Sequence, residues 1–498
     1  MATRDRGPDV YIIVADCLRA DSLPPPDWSA ASPGDSGFVS FPRTISSSSW
    51  TLPAHVSILS GLSPEQHDIH RLGASRIPPD LPWLPSALSA RGYRTFLVSA
   101  NHTLNPGQGF GRGFDLLAWG RWGENAFRLS SSQDPPFLSE RTDNHDPLKE
   151  HVLLGPGRGL SRLAARCVAN LPRFPWLLDA TARVARKMLL PQDANFEVTP
   201  WIEPTFDRML GRFGSEEAVF ALVNLMDCHE PYLPSVGGRT SWADWLRLGR
   251  IRQDRTNWTY EPWPYSEEEL AALRGLYAHQ VATVGRRIGR LLKILEARGR
   301  LERSLVLITG DHGQALGEHQ RLFHNGGLSE PEIRVPLWIR FPDGRVPTPG
   351  FSDWTSLIDV YPTVAAEAGL PIDPRQSGVP LGRPGGMQRP APAIAVADGM
   401  FTPEQYLVSG PGCRWNASVA AYNGRLKVVV QSARPQISAF DIERDPGELR
   451  DLWSPTNAEA GRLAGRALGV LRRLEARGAA PPGSTEVEAR LSSWGYLA

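Results

Sequence analysis

The segment from Leu305 to Gly313 (LVLITGDHG) is an apolar run that ends abruptly in Asp311, His312 and Gly313. A short apolar run bounded by polar residues is typical of a buried parallel strand. Open α/β sheets place their functional groups at the carboxyl ends of such strands. An acid and an imidazole at this position could bind a divalent cation, but such a pair often only caps the next helix. Both interpretations are open on this segment alone.

Two further apolar runs end in the same way. They are Val10–Val14, followed by Asp16, and Ala218–Leu225, followed by Asp227 and His229. Apolar residues with helical spacing separate the runs, most clearly over Glu267–Arg298. Strands that alternate with helices predict an α/β fold with a mostly parallel central sheet flanked by helices. The polar residues after the three strands are candidate ligands, because such strands end at the same edge of a sheet.

The character of the chain changes in three places. Residues 24–48 are rich in Pro, Ser and Gly and predict a loop. Residues 120–200 combine a polar section with an amphipathic basic section, and we interpret them as a helical insertion or lid within a catalytic domain at 1–384. Residues 385–498 contain short strand patterns and a predicted helix at Ala458–Arg477. They predict a smaller C-terminal α+β subdomain.

The composition argues against several kinds of partner. The 498 residues carry a formal net charge of +1, so we expect no nucleic-acid partner. Four Cys are widely scattered without paired spacing, which suits a reducing compartment. Residues 1–9 are polar and lead directly into a strand, and no apolar stretch is long enough to cross a bilayer. We therefore expect a cytoplasmic protein without a transmembrane segment.

The segment Ser49–Gly61 places two reactive side chains around the start of a predicted helix. Thr51 and His55 are four residues apart, and Pro53 lies in the first turn, where proline is tolerated. A helix N-terminus presents unpaired N–H groups that suit an anionic substrate. A hydroxyl beside a divalent cation can lose its proton and attack phosphorus or sulfur. The alternative is that Thr51 only caps the helix.

The candidate segments also occur in an informative order. In chain order they are Asp16–Asp21, Thr51–Gly61, Asn224–Tyr232, Gly310–Gly313, His319, His324, Ile333–Pro336, Ser356–Thr363 and Ala439–Glu448. This order resembles the sulfatase branch of the alkaline phosphatase superfamily. The segments Asp16–Asp21, Thr51–Gly61, Asn224–Tyr232 and Gly310–Gly313 of this chain are similar, in that order, to four segments of the family. These are the first metal-binding segment, the nucleophile motif, the middle strand and the second metal-binding segment. The resemblance implies an alkaline-phosphatase-like fold and leaves residues 120–200 poorly covered.

The resemblance implies a site for one divalent cation. Its ligands would be Asp16, Thr51, Asp311 and His312, with Thr51 acting as the nucleophile. Two-zinc members carry an Asp-x-x-x-His pair on the middle strand, and the spacing of Asp227 and His229 does not reproduce it. Hard oxygen ligands with one imidazole favour Mn²⁺, Mg²⁺ or Ca²⁺, and Zn²⁺ is the alternative.

The resemblance also implies roles for other residues near the nucleophile. His55, His229 and His324 are candidate catalytic residues that bind the transferring group or protonate the leaving group. Asn101, at the end of a predicted strand, is a candidate for substrate binding together with His55 and His229. His229 and His324 are also open to a plainer role in orienting their turns, and His319 is better explained as a surface residue.

Two departures from the family pattern bear on the chemistry. Sulfatases carry a formylglycine made from Cys or Ser, whereas this chain has Thr51 at that position, and His55 replaces the family's Arg. Both departures favour phosphate esters, since phosphodiesterases and phosphoglycerol transferases of the superfamily similarly use a Thr nucleophile.

Three functions follow from these residues. The first is hydrolysis or transfer of phosphate mono- or diesters through a covalent phosphothreonine at Thr51. The second is hydrolysis of sulfuric esters with Thr51 unmodified, and the third is a catalytically degenerate protein that binds an anion or a docking partner. The expected substrate is a small-molecule or glycan phosphate or sulfate ester.

Overall fold

The computed structural model describes much of the chain outside residues 132–200. The described residues are 7–22, 37–69, 76–120, 128–131, 201–230, 232, 265–324, 327–345, 354–382, 393–398, 417–431, 436–454 and 456–476. Most of the predicted insertion at 120–200 and the boundary between residues 384 and 385 lie outside them, so both stay predictions.

Strands and helices alternate through most of the described chain. The strands are β1 (Asp9–Ala15), β2 (Val39–Ser40), β3 (Thr44–Ile45), β4 (Arg94–Ser99), β5 (Leu116–Trp119), β6 (Arg128–Ser131), β7 (Val219–Leu225), β8 (Ser304–Gly310), β9 (Ala315–Leu316), β10 (Leu322–Phe323), β11 (Arg334–Val335), β12 (Leu337–Arg340), β13 (Thr355–Ser356), β14 (Ala393–Asp398), β15 (Ala417–Asn423), β16 (Leu426–Gln431) and β17 (Gln436–Asp441). The helices are α1 (Thr51–Ser60), α2 (Pro64–His67), α3 (Leu84–Ala90), α4 (Ile202–Leu210), α5 (Glu267–Ala297), α6 (Glu330–Ile333), α7 (Val360–Ala368) and α8 (Ala458–Ala476). The prediction of a loop over residues 24–48 was wrong at β2 and β3, which are short strands.

The central sheet has the strand order β2-β12-β8-β1-β7-β4-β5-β6. Its five middle strands, from β8 to β5, are parallel to one another. Strands β12, β2 and β6 pair antiparallel at the two edges. Parallel strands need long crossovers, which the helices supply, as α5 does between β7 and β8, the two strands on either side of β1. The predicted α/β fold with a mostly parallel central sheet is confirmed.

Alternate residues of β1 enter two separate cores, because successive side chains of a strand point to opposite faces of the sheet. Tyr11 and Ile13 pack on the side that α4 and α5 cover. Val10, Ile12 and Val14 pack on the side that α1, α3 and α7 cover. All five side chains are buried. Because both faces of β1 are buried, its sequence is a continuous apolar run.

The two helices next to the site have clear local signals. Helix α1 ends at Gly61, which adopts the left-handed conformation at φ 68° that glycine tolerates. Helix α5 begins with a capping box, in which Ser266 and Glu269 each accept a hydrogen bond from the other's backbone N–H. Among the helices of the described ranges, none combines the length and apolarity needed to cross a membrane.

The C-terminal part of the chain forms an antiparallel sheet in the order β14-β15-β16-β17, with α8 packed on one face. The other face packs against residues around β3 and α6. Lys427 is buried at this contact, and its Nζ donates to Leu328 O (2.5 Å) and lies 3.1 Å from Glu330 Oε1 and 2.6 Å from Glu448 Oε1. The predicted smaller α+β unit therefore joins the central-sheet domain through a buried ion-pair cluster.

Candidate active site

The candidate site lies at the carboxyl ends of β1 and β8. In these neighbouring parallel strands Ala15 pairs with Gly310, so Asp16 and Asp311 follow at the same level of the sheet. Both side chains are fully buried. The sheet order therefore brings together two carboxylates that are almost three hundred residues apart in the sequence, as the strand-end argument predicted.

Helix α1 brings the hydroxyl of Thr51 to the two acids. Thr51 Oγ1 donates to Asp16 Oδ2 at 3.3 Å and lies 3.4 Å from His312 Nε2. Thr51 is the first residue of the helix, and 7% of the residue stays exposed. Its hydroxyl lies among the side chains that the sequence predicts as cation ligands.

The ring of His312 is held in one tautomer. Its Nδ1 lies 2.8 Å from the backbone oxygen of Gly313, which can only accept, so Nδ1 carries the hydrogen. Burial lowers the pKa of His312, which favours the neutral ring with a lone pair on Nε2. Nε2 lies 3.5 Å from Asp311 Oδ2 and 3.7 Å from Asp16 Oδ1. A carbonyl that orients the second nitrogen is the usual arrangement for a metal-binding His.

The two carboxyls have opposite pKa shifts. Burial would raise the pKa of Asp16, but the nearby rings of His229 and His312 and the amide of Asn101 outweigh it and lower the pKa to about 2. Burial and the charge of Asp16 raise the pKa of Asp311 well above its usual range. Without a cation, ionising both of these neighbouring carboxyl groups costs free energy, because the two negative charges repel each other.

The hydrogen bonds of Asp311 show where a cation would fit. Its Oδ1 accepts from the backbone N–H of Cys17 (3.2 Å) and of His312 (2.8 Å). Its Oδ2 accepts no hydrogen bond from any described residue, although it is buried. This oxygen, Asp16, Thr51 Oγ1 and His312 Nε2 offer hard oxygen ligands and one imidazole, which suits a divalent cation. The four predicted ligands are thus close together.

His55 lies next to Thr51, one helical turn further along α1, where it is completely buried. Its Nδ1 donates to the backbone oxygen of Thr51 (3.0 Å), and its Nε2 lies 3.4 Å from Asn224 Nδ2. Burial lowers the pKa of His55 to about 4, so the ring is neutral near pH 7. These contacts support the helix turn that carries Thr51, and the predicted catalytic and substrate-binding roles of His55 stay predictions.

Asn101 lies beyond β4, and its side chain contacts two of the predicted cation ligands, Asp16 and Thr51. Its Oδ1 accepts from the backbone N–H and the hydroxyl of Thr103, so its amide nitrogen must face the site. Nδ2 donates to Asp16 Oδ2 at 2.9 Å and lies 3.5 Å from Thr51 Oγ1. The amide of Asn101 therefore lies beside Thr51 Oγ1, and its predicted role in substrate binding stays a prediction.

His229 and His324 lie next to the predicted cation ligands. The ring centroid of His324 is 4.7 Å from that of His312 and 4.9 Å from that of His229. Both rings are buried close to Cys17 and Glu230, two residues to which the sequence analysis gave no functional role. The exposed side chain of His319 is consistent with the surface alternative.

Asp227 does not join the site, so its interpretation as a strand-end ligand was wrong. Its carboxylate pairs with Arg287 Nη1 of helix α5 at 2.9 and 3.2 Å. Glu203 of α4 binds the same guanidinium from the other side (2.9 Å). Arg287 is fully buried, so this cluster joins α4 and α5 to the end of β7. The residue after a strand can point to either face, and here it points to the helices.

Comparison with known proteins identifies the class. The family model described as Sulfatase matches residues 25–370, and the chain belongs to the sulfatase family. The structure of the phosphonate monoester hydrolase of Agrobacterium radiobacter resembles it with a TM-score of 0.60 at 20% identity, over 94% of this chain and 96% of that chain. This likeness confirms the predicted alkaline-phosphatase-like fold.

Curated relatives match part of the chain. Arylsulfatase K of Mus musculus is 29% identical over 195 residues, which are 38% of this chain and 34% of that protein. Choline-sulfatase of Rhizobium meliloti (strain 1021) is 30% identical over 199 residues, which are 39% of this chain and 35% of that protein. The matches thus span about a third of the length of these relatives.

Proposed function

We propose that the protein hydrolyses or transfers phosphate mono- or diesters through Thr51, with one divalent cation at Asp16, Thr51, Asp311 and His312. The observation that supports this most directly is the position of Thr51 Oγ1, 3.3 Å from Asp16 Oδ2 and 3.4 Å from His312 Nε2. A hydroxyl in this position is a ligand and a nucleophile at once. Mn²⁺, Mg²⁺ or Ca²⁺ fits the donor set best, with Zn²⁺ as the alternative.

A bound cation would supply charge stabilisation and lower the pKa of the Thr51 hydroxyl. The low pKa of Asp16 makes it a weak base, so it serves as a ligand and the Thr51 proton leaves to solvent. Thr51 Oγ1 then attacks phosphorus in line with the leaving oxygen, and the amide of Asn101 donates to a non-bridging oxygen.

The leaving group departs as the Thr51 Oγ1–P bond forms and the ester P–O bond breaks. His229 or His324 gives the leaving oxygen a proton. A water molecule or a second alcohol then attacks the same phosphorus, which releases the phosphate or the transfer product and restores the Thr51 hydroxyl. Phosphate chemistry is favoured because Thr has a methyl group on Cβ, so oxidation of its hydroxyl would give a ketone and not the formylglycine aldehyde.

The second candidate is hydrolysis of sulfate esters at the same unmodified Thr51. The observation in its favour is the set of curated relatives, which includes an arylsulfatase and a choline-sulfatase. The attack geometry would be the same, since sulfate and phosphate esters are both tetrahedral anions. The two candidates differ in the atom that is transferred to Thr51.

The test is a panel of aryl phosphate, phosphodiester and sulfate esters, each with several divalent metals. We expect phosphate turnover in the wild type, loss of turnover in Thr51→Ala, and partial retention in Thr51→Ser, which keeps a hydroxyl. High-resolution mass spectrometry should detect a phosphoryl adduct at Thr51, whose nominal mass equals that of a sulfuryl group. Sulfate turnover that exceeds phosphate turnover and is lost in Thr51→Ala would establish the second candidate. Stoichiometric metal without any turnover would indicate a degenerate, anion-binding protein.

A further inference from the structure

A second set of metal-ligand atoms lies beside the first site. Cys17, His229, Glu230 and His324 each offer one donor atom, and these four atoms lie within 4.8 Å of one another. All four side chains are buried. We propose that this set binds a second divalent cation of the zinc type, through a thiolate, a carboxylate and two imidazoles. The proposal concerns metal binding and does not depend on which ester the protein cleaves.

The distances within the set agree with a tetrahedral zinc site. Zn–S bonds of about 2.3 Å and Zn–N or Zn–O bonds of about 2.0–2.2 Å require donor atoms roughly 3.3–3.6 Å apart. Cys17 Sγ lies 3.5 Å from His324 Nδ1, and that nitrogen lies 3.6 Å from Glu230 Oε2. Two measured edges of the tetrahedron therefore need almost no adjustment.

The donor types select the metal. One thiolate and two imidazoles form a softer set than the oxygen-rich first site, and such ligands favour Zn²⁺ over Mg²⁺ or Ca²⁺. The negative charges of the Cys17 thiolate and the Glu230 carboxylate would balance the two charges of the cation. Burying an ion removes it from water, and opposite charges beside it are needed to offset the loss of solvation free energy.

The backbone of Cys17 is held so that its sulfur faces this set. Cys17 adopts a left-handed conformation at φ 60°, which is uncommon for a residue other than Gly. Its N–H donates to Asp311 Oδ1 (3.2 Å), and its carbonyl accepts from the Tyr277 hydroxyl (2.9 Å). The same hydroxyl accepts from the N–H of Arg19 (3.0 Å). Three hydrogen bonds thus stabilise a backbone conformation that would otherwise be costly.

The proposal changes two expectations. The sequence predicts one cation, because Asp227 and His229 lack the spacing of the two-zinc members. The structure supplies the missing donors from other segments, as Cys17 follows β1 and His324 follows β10. When the second cation is bound, His229 and His324 would act as ligands, and the leaving oxygen would take its proton from solvent instead of from either ring.

Cys17 could instead belong to the first site. Its sulfur lies 3.2 Å from Asp16 Oδ1, and it forms a further group with Asp16 and His312. The two assignments predict different losses on removal of the thiol. If Cys17 serves the second cation, its removal spares the first one.

The test measures metal content and a spectroscopic signal, neither of which requires turnover. The full-length protein is stripped with a chelator, reloaded with Zn²⁺ or Co²⁺, and analysed by elemental mass spectrometry. The cobalt protein is scanned for near-ultraviolet charge-transfer absorption from thiolate to metal. Cys17→Ala removes the proposed ligand, and Cys228→Ala is the matched control, because Cys228 is also a buried free cysteine but belongs to neither donor group.

We expect two metal equivalents and the thiolate absorption in the wild type and in Cys228→Ala. Cys17→Ala and His324→Ala should retain one equivalent, and Cys17→Ala should lose the absorption. Asp311→Asn should lose the other equivalent and keep the absorption, which separates failure of the first site from failure of the second. One equivalent in the wild type without the thiolate absorption, absorption that survives in Cys17→Ala, or loss of both equivalents in a Cys17→Ala protein with a control-like thermal midpoint would overturn the proposal.

Discussion

Replacing Asp311 with Asn is expected to stabilise the metal-free protein and to destabilise the metal-loaded one relative to the wild type. Asp311 Oδ1 accepts two backbone hydrogen bonds, which an Asn Oδ1 can retain. The Asn amide would take the position of Oδ2, 3.5 Å from His312 Nε2 and its lone pair. The change therefore removes a buried charge and adds a donor that faces an acceptor.

The expected change in the free energy of unfolding follows from the surroundings of Asp311 Oδ2. This oxygen is buried and accepts no hydrogen bond within the described structure. A buried polar atom left without a partner costs about 1–3 kcal/mol, and a charged one costs more. The free energy of unfolding of metal-free Asp311→Asn should therefore exceed that of the wild type by about 1–3 kcal/mol at pH 8.

The difference in the free energy of unfolding between metal-free Asp311→Asn and the wild type should increase with pH. Burial and the charge of Asp16 raise the pKa of Asp311. A carboxyl with a raised pKa stabilises the folded protein at low pH, and this stability is lost as the pH rises through the folded-state pKa. The pKa of Asp16 is lowered to about 2, so the stability that Asp16 contributes is lost as the pH falls. Because Asp16 is present in both proteins, this contribution largely cancels in the comparison. The advantage of Asp311→Asn should thus be small in acid and grow toward pH 8.

Metal should cancel or reverse the stability advantage of Asp311→Asn. A cation at a concentration a hundredfold above its Kd adds about 2.7 kcal/mol to a protein that binds it only when folded. The wild type should gain this amount, and Asp311→Asn should gain little. Urea unfolding followed by Trp fluorescence at pH 5 and pH 8, with and without Mn²⁺, measures all four differences. A metal-free Asp311→Asn protein that is less stable than the wild type at pH 8 would refute the reasoning.

Three further predictions concern other residues. Asn101→Ala should lower kcat about 10²–10³-fold, as loss of one transition-state donor does, and a steady-state loss below threefold would argue against it. Lys427→Met leaves two buried carboxylates without their cation and should cost about 3–5 kcal/mol in urea unfolding. Gly313→Ala should lower stability and metal affinity because its Cβ would lie 2.1 Å from Pro331 O, whereas Gly275→Ala, with open space around it in α5, should stabilise by about 0.5–1 kcal/mol.

The strand-end part of the site was predictable from the sequence. Asp16 and Asp311 each follow a fully apolar run, and neighbouring parallel strands must bring such residues together. Thr51 was predictable for a related reason, since a helix N-terminus with a hydroxyl suits an anion. The likeness of the sulfatase family motifs then implied a role for each residue, which the strand pattern alone left open, and these roles stay predictions.

Side-chain direction was the part that the sequence could not predict. Asp227 and His229 follow the same strand two residues apart, but Asp227 turns to Arg287 in a helix sixty residues later. The group of Cys17, Glu230 and His324 was missed because its members come from three segments, and because the left-handed backbone of Cys17 has no signal in the sequence. Gly313 is needed for space, because a Cβ there would meet Pro331 O, and the sequence gives no sign of this contact.

The opposite pKa shifts of Asp16 and Asp311 argue that the cation is a condition for the chemistry. Without it, burial and the charge of Asp16 raise the pKa of Asp311, and Thr51 Oγ1 lies 3.3 Å from the Asp16 carboxylate, in the field of its negative charge. That field opposes ionisation of the hydroxyl. On the proposed mechanism, a cation bound to both carboxylates would reverse the field and hold the oxygen in place. The same two acids would then suppress the proposed nucleophile in the metal-free protein and activate it in the loaded one.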